Sequence, residues 1–152
     1  MGQSHLVVAP SLPDIKGMAH RTEQRLAEEL DSITAAREIA GRFLKDAGYG
    51  GAHDDVLLVV SELVTNALLH GSGEPLFRMS ASATTVRVEV GDSAAKLPVP
   101  REPGPRDGWG LQVIQRVCSS WGASPHEGGK VVWCELVSSP APATTKAGVE
   151  LA

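Results

Sequence analysis

Val59-Val60-Ser61-Glu62-Leu63-Val64-Thr65-Asn66-Ala67-Leu68-Leu69-His70-Gly71 is the most informative stretch of this chain. Val56, Leu57, Val60, Leu63, Val64, Ala67 and Leu68 recur at helical spacing, so the segment reads as a helix with one strongly apolar face. It starts near Asp54-Asp55, whose charges suit the positive end of a helix, and stops at Gly71. Glu62, Asn66 and His70 stand at i, i+4 and i+8 and form one polar stripe beside that face. A carboxylate and a carboxamide one turn apart suit proton abstraction and oxygen coordination of a hard cation. The same spacing also describes an ordinary solvated helix face.

Upstream, Ile33, Ala36, Ile39, Ala40, Phe43 and Leu44 predict another helix. Asp31 and Ser32 offer N-cap oxygens and Gly48 a stop. Arg25 to Leu30 reads equally as an edge strand or as the lead-in to that helix. Downstream, Leu76 to Ser80 and Val86 to Val90 are strand-like. Val86, Val88 and Val90 alternate with Arg87 and Glu89, the pattern of a strand with one wet face.

Asp92 follows directly, placed either to cap a turn or to accept hydrogen bonds from a base amino group. A Pro- and Gly-rich loop, 93–107, leads to Gly108-Trp109-Gly110-Leu111 and a third helix expected over 111–121. Glycines and free N–H groups at a helix start favour phosphate, although a lone G-x-G also serves as a plain helix entry. Two closing strands, 123–126 and 131–137, flank a Glu127-Gly128-Gly129 turn. The order predicts an α+β fold, a two-layer sandwich with a mainly antiparallel sheet and about three helices on one face.

The chain has 152 residues, 42% of them apolar, which suits one domain with its own core. Residues 1–20 read as an extension, 21–137 as the folded unit and 138–152 as a disordered Pro/Ala/Thr tail. The 14 basic and 18 acidic residues give a net charge of −4, against a partner held by bulk attraction to nucleic acid or anionic lipid. Cys118 and Cys134 lack metal-site spacing and read as two buried, reduced thiols. No stretch reads as a signal peptide or membrane span, so a cytoplasmic location is expected.

The succession of Glu-x-x-x-Asn on a helix, Asp at a strand end, a Pro/Gly loop and Gly-x-Gly opening a helix resembles the N, G1 and G2 boxes of the GHKL (histidine-kinase-like, Bergerat-fold) ATPases. The 59–71 stretch is similar to the N box of small bacterial anti-sigma-factor serine kinases and of actinobacterial ATP-binding regulators. Gly110-Leu111, Trp121-Gly122 and Gly129-Lys130-Val131-Val132-Trp133 before Glu135-Leu136 resemble their closing segment. The likeness implies ATP and Mg²⁺ as cofactors. It assigns Asn66 to the metal, Glu62 to proton abstraction from an attacking hydroxyl and Asp92 to the adenine amino group. Gly108, Trp109, Gly110 and Leu111 fall to the phosphate lid.

The implied activity is that of a serine/threonine protein kinase acting on an anti-anti-sigma (STAS-like) protein and holding a sigma factor, with a homodimer allowed. A non-catalytic module that sequesters a regulatory protein is the alternative. The catalytic half of a two-component histidine kinase fits less well, because the sequence shows no dimerisation helix with a phospho-acceptor histidine. Three departures from the family pattern bear on affinity. Asp92-Ser93-Ala94-Ala95-Lys96 lacks the two G1 glycines, Trp109 stands where a small or basic residue is usual, and Val131 replaces a Thr expected to support the aspartate. Loss of that hydroxyl is expected to cost about 1 kcal/mol, roughly five- to tenfold in affinity.

Overall fold

The computed structural model describes residues 18–94, 111–126 and 128–138. The elements run β1 (His20–Arg25), α1 (Asp31–Ala47), α2 (His53–His70), β2 (Leu76–Ala81), β3 (Thr85–Asp92), α3 (Leu111–Val117), β4 (Ser120–His126) and β5 (Gly129–Val137). The strands form one sheet in the order β1-β2-β3-β5-β4, with every neighbouring pair antiparallel. The expected two-layer α+β sandwich is therefore present.

Register explains the core. Phe77, Val90 and Val132 lie in one cross-strand row, Met79, Val88 and Cys134 in the next, and Ala81, Val86 and Leu136 in the third. All nine are buried and join Ala36, Ala40 and Leu44 of α1 and Val56, Val60, Leu63, Val64 and Ala67 of α2 in a single cluster. Each large side chain removed from water here contributes about 1.5–3 kcal/mol. The period-2 face of the sheet and the apolar stripes of the helices thus account for the layering.

Several local expectations are corrected. Arg25 to Leu30 is neither wholly strand nor wholly helix: β1 ends at Arg25, and α1 begins at Asp31. Asp31 and Ser32 do not cap α1. Leu30 holds the N-cap position without a side-chain bond, and Asp31 lies inside the first turn, where its charge suits the helix dipole. Ser32 Oγ instead donates to the carbonyl of Ala27 at 2.7 Å, fixing the bend between β1 and α1. Gly48 closes α1 with φ 71°, the left-handed conformation that a glycine adopts without steric cost.

The third helix is shorter than its apolar pattern predicts. It ends at Val117, and Trp121 lies inside β4. The backbone N–H of Ser119 donates to the carbonyl of Glu135 at 2.8 Å, so the chain leaves the helix and pairs with β5.

The supposed wet face of β3 is also not wet: Arg87 is 1% and Glu89 6% exposed. Arg87 Nε donates to Glu89 at 2.7 Å and Nη1 to Glu135 at 2.8 Å, while its guanidinium lies 4.2 Å from the centre of the Trp133 ring. Buried charge is tolerated because each group is paired and the cation also meets an aromatic face.

Candidate functional site

The C-terminal half of α2 and the C-terminal end of the central strand β3 meet at one place. Beyond His70 the backbone of Gly71 is extended, with its N–H on the carbonyl of Ala67 at 3.0 Å. Gly71 therefore stops the helix without a left-handed turn. Its smallness serves a different need: a Cβ there would fall 2.5 Å from Oδ2 of Asp92. The N–H of Ser93 donates to the carbonyl of Ser72 at 2.8 Å and sews the strand end to the segment following α2. Asp92 is thereby held against the end of the helix that carries Glu62, Asn66 and His70.

Asp92 and Lys130 are cross-strand partners and extend the helix-facing side of the sheet beyond Val90 and Val132. Lys130 Nζ lies 2.9 Å from Oδ1 of Asp92, and the two side chains are only 1% and 2% exposed. The same Oδ1 accepts the N–H of Ala94 at 2.8 Å. Two donors hold Oδ1, and Oδ2 faces Gly71. Gly129 permits this approach, since a Cβ at that position would overlap the carbonyl oxygen of Asp92.

Lys130 is a site residue that reading the sequence missed. The expectation for Val131 is corrected with it. Val131 pairs with Gly91, and its Cγ2 would be 3.3 Å from a Cβ built there, on the opposite face of the sheet from Asp92. A hydroxyl at 131 would point away from the carboxylate, so no hydrogen bond to Asp92 is lost there.

On α2, Asn66 is buried and Glu62 half-buried, and burial pushes the Glu62 carboxyl above its ordinary range. A carboxylate displaced in this direction holds its proton more readily, which improves it as a base for a hydroxyl. Leu111 opens α3, while Gly108, Trp109, Gly110 and the loop before them lie outside the described residues. A cleft of about 660 Å³ at the other end of β5, lined by Tyr49, Asp55, Arg116 and Leu136 among others, contains none of these candidates.

A family model described as a histidine kinase-like ATPase domain matches residues 26–135. The chain belongs to this family. The match spans α1 through most of β5 and includes Glu62, Asn66, Asp92 and Lys130. No curated protein matches the chain.

Among solved structures, the RsbU and RsbW domains of Rv1364c from Mycobacterium tuberculosis share the fold at TM-score 0.57 and 21% identity. That comparison covers 82% of this chain and 34% of the other, so the chain spans about a third of the length of that protein. The catalytic domain of the histidine kinase ThkA aligns at TM-score 0.47 and 19% identity, covering 78% of this chain and 97% of the other. For this histidine kinase-like ATPase the residues present fit a nucleotide: glycines clear the space around Asp92, and a buried carboxamide stands beside a carboxylate on α2. Among the described residues, no helix is long and apolar enough to cross a membrane.

Proposed function

We propose that the chain is an ATP-dependent serine/threonine protein kinase of the anti-sigma-factor type. Its substrate would be a small anti-anti-sigma (STAS-like) protein, and in its other state it would hold a sigma factor in the cytoplasm. The observation that carries this reading is the pairing of Glu62 and Asn66 one turn apart on α2, with the Glu62 carboxyl displaced upward by burial. The likeness to a structure that contains an RsbW domain supports the regulatory class.

In this reading Asn66 would contribute an oxygen ligand to Mg²⁺, and Oδ2 of Asp92 would accept a hydrogen bond from the adenine amino group. The buried Lys130–Asp92 pair keeps that carboxylate oriented. Mg-ATP, when bound, supplies the phosphoryl group. Glu62 would take the proton of the attacking hydroxyl, and Gly108, Trp109, Gly110 and Leu111 would be the residues that contact the phosphates. Phosphoryl transfer depends mostly on positioning and charge neutralisation, which these few groups can provide.

The test is transfer of labelled phosphate from ATP to an anti-anti-sigma-type protein, wild type against Glu62→Gln. Transfer is expected to fall by about 10²–10⁴ in the variant, the usual worth of a general base. Equal transfer by both proteins, or none by either while ATP is bound, overturns the kinase assignment. The second reading, a non-catalytic module that sequesters a regulator, draws on the two donors already occupying Oδ1 of Asp92. Retained partner binding with no Mg-ATP binding at millimolar concentration would favour it.

A further inference from the structure

The cleft of about 660 Å³ at the Val137 end of β5 has the size of a small-molecule pocket and lies at the opposite end of that strand from Lys130. Tyr49 forms one wall, and its place is fixed by the turn between α1 and α2. Its N–H donates to the carbonyl of Leu44 at 3.2 Å, and the next N–H, of Gly50, donates to the carbonyl of Ala83 at 2.9 Å. His53 Nε2 donates to the carbonyl of Tyr49 at 2.8 Å, and the two rings stack with centroids 5.9 Å apart. Gly51 makes room for the tip of the phenol ring, because a Cβ there would overlap its hydroxyl.

Three polar groups line the cleft without answering one another. Asp55 comes from the first turn of α2 and Arg116 from the last turn of α3. Their charges are opposite, yet among the described residues neither forms an ion pair. Tyr49 is 5% exposed, and among the described residues no hydrogen bond reaches its hydroxyl. Burial, and then the charge of Asp55, push that phenol above its ordinary range, so it stays a neutral donor.

Apolar surface adjoins these groups. Val117, Leu136 and Val137 line the same cleft, and Val137 is left 51% exposed at the end of its strand. A ligand that uses the whole lining therefore carries one positive group, one negative group and an apolar portion. A plain anion would meet Asp55 and a plain cation would meet Arg116, each facing a like charge.

We propose that the cleft binds a zwitterion of the amino-acid or short-peptide class with an apolar side chain. The ammonium group faces Asp55, and the carboxylate faces Arg116 and accepts a hydrogen bond from the Tyr49 hydroxyl. The apolar side chain rests on Val117 and Val137. α2 starts at this cleft and ends beside Asp92, so the ligand sits at the opposite end of the helix that carries Glu62 and Asn66. The inference stands on the cleft alone and does not depend on the kinase reading.

The test is calorimetric titration of the full chain with L-leucine and, separately, with the tripeptide Ala-Leu-Ala, to millimolar concentration. Saturable binding of at least one is expected, and the tighter binder tells a free amino acid from a peptide. The desamino and C-terminal amide analogues of that probe each lack one charge and should bind at least about tenfold more weakly. Asp55→Asn and Arg116→Gln, both at exposed positions, should each weaken the intact probe by a similar factor. In Asp55→Asn, removing the ammonium group as well should cost little more. Absence of saturable binding by either probe overturns the proposal. So does unchanged affinity in either variant, or an analogue that binds as tightly as its parent.

Discussion

Replacing Lys130 with Met isolates the most consequential contact of the site. In the wild type the ammonium lies 2.9 Å from Oδ1 of Asp92, with both side chains at most 2% exposed. Met keeps most of the aliphatic stem and removes the charge. Among the described residues Asp92 then retains the N–H of Ala94 as a donor, with its side chain 2% exposed. Removing one partner of such a buried pair costs about 3–5 kcal/mol, because the remaining charge is left desolvated. For a domain of this size that corresponds to a drop of roughly 10 °C or more in Tm.

The pair itself contributes far less than this figure, since its attraction is offset by the desolvation of both groups. The double variant Asp92→Asn/Lys130→Met should therefore recover at least about 2 kcal/mol of the loss, a coupling that a double-mutant cycle in urea reads directly. A loss below about 1 kcal/mol for Lys130→Met, or strict additivity in the cycle, would mean that the pair behaves as an exposed surface bridge. The reasoning would then fail.

Glu62 gives a pH-dependent signature. Its carboxyl is raised above the ordinary 4.5 by burial, so the folded state binds that proton more tightly than the unfolded chain. The resulting stability is present below the unfolded pKa and is lost as pH rises through the folded one. Glu62→Gln is expected to be more stable than wild type at neutral pH, with the difference vanishing in acid. Urea midpoints measured from about pH 4 to about pH 8 check this, and a gap that grows in acid contradicts it.

Gly71→Ala places a methyl against Oδ2 of Asp92. It is expected to cost about 1–3 kcal/mol and to weaken nucleotide binding, read by thermal unfolding with and without Mg-ATP. Gly48→Ala forces a side chain into the left-handed cap at φ 71° and should cost about 1–2 kcal/mol without touching nucleotide binding.

Much of this molecule could be read along the chain, and the misreadings share one cause. α1 and α2 follow from apolar spacing because their buried faces are periodic and local. β1, with the sequence His20 to Arg25, carries almost no apolar residue and is exposed at five of its six positions. It is a strand because β2 offers it an edge, which no local pattern records. Arg87 and Glu89 read as solvent-facing residues since charge alternating with valine usually means water. Their partners, Glu135 and Trp133, come from β5, far along the chain.

The site divides in the same way. Glu62 and Asn66 stand out because they share one helix face, and Asp92 because it ends a strand. Lys130 does not stand out in the sequence because its role depends on the β3–β5 register, which pairs it with Asp92 across 38 positions of sequence and turns Val131 to the other face. Cys118 reads as a buried thiol because Trp121 prolongs the apolar pattern of α3, whereas the chain turns into β4 just after the cysteine, which is only partly buried.

We propose above that the chain holds Mg-ATP through Asn66 and Asp92. A titration of the full chain with ATP, with and without Mg²⁺, for wild type and Asn66→Ala, tests it most directly. Saturable binding that Mg²⁺ strengthens in the wild type, with that strengthening lost and affinity at least about tenfold weaker in the variant, is the expected result. Absence of wild-type binding at millimolar ATP, or an unchanged response to Mg²⁺ in Asn66→Ala, contradicts it.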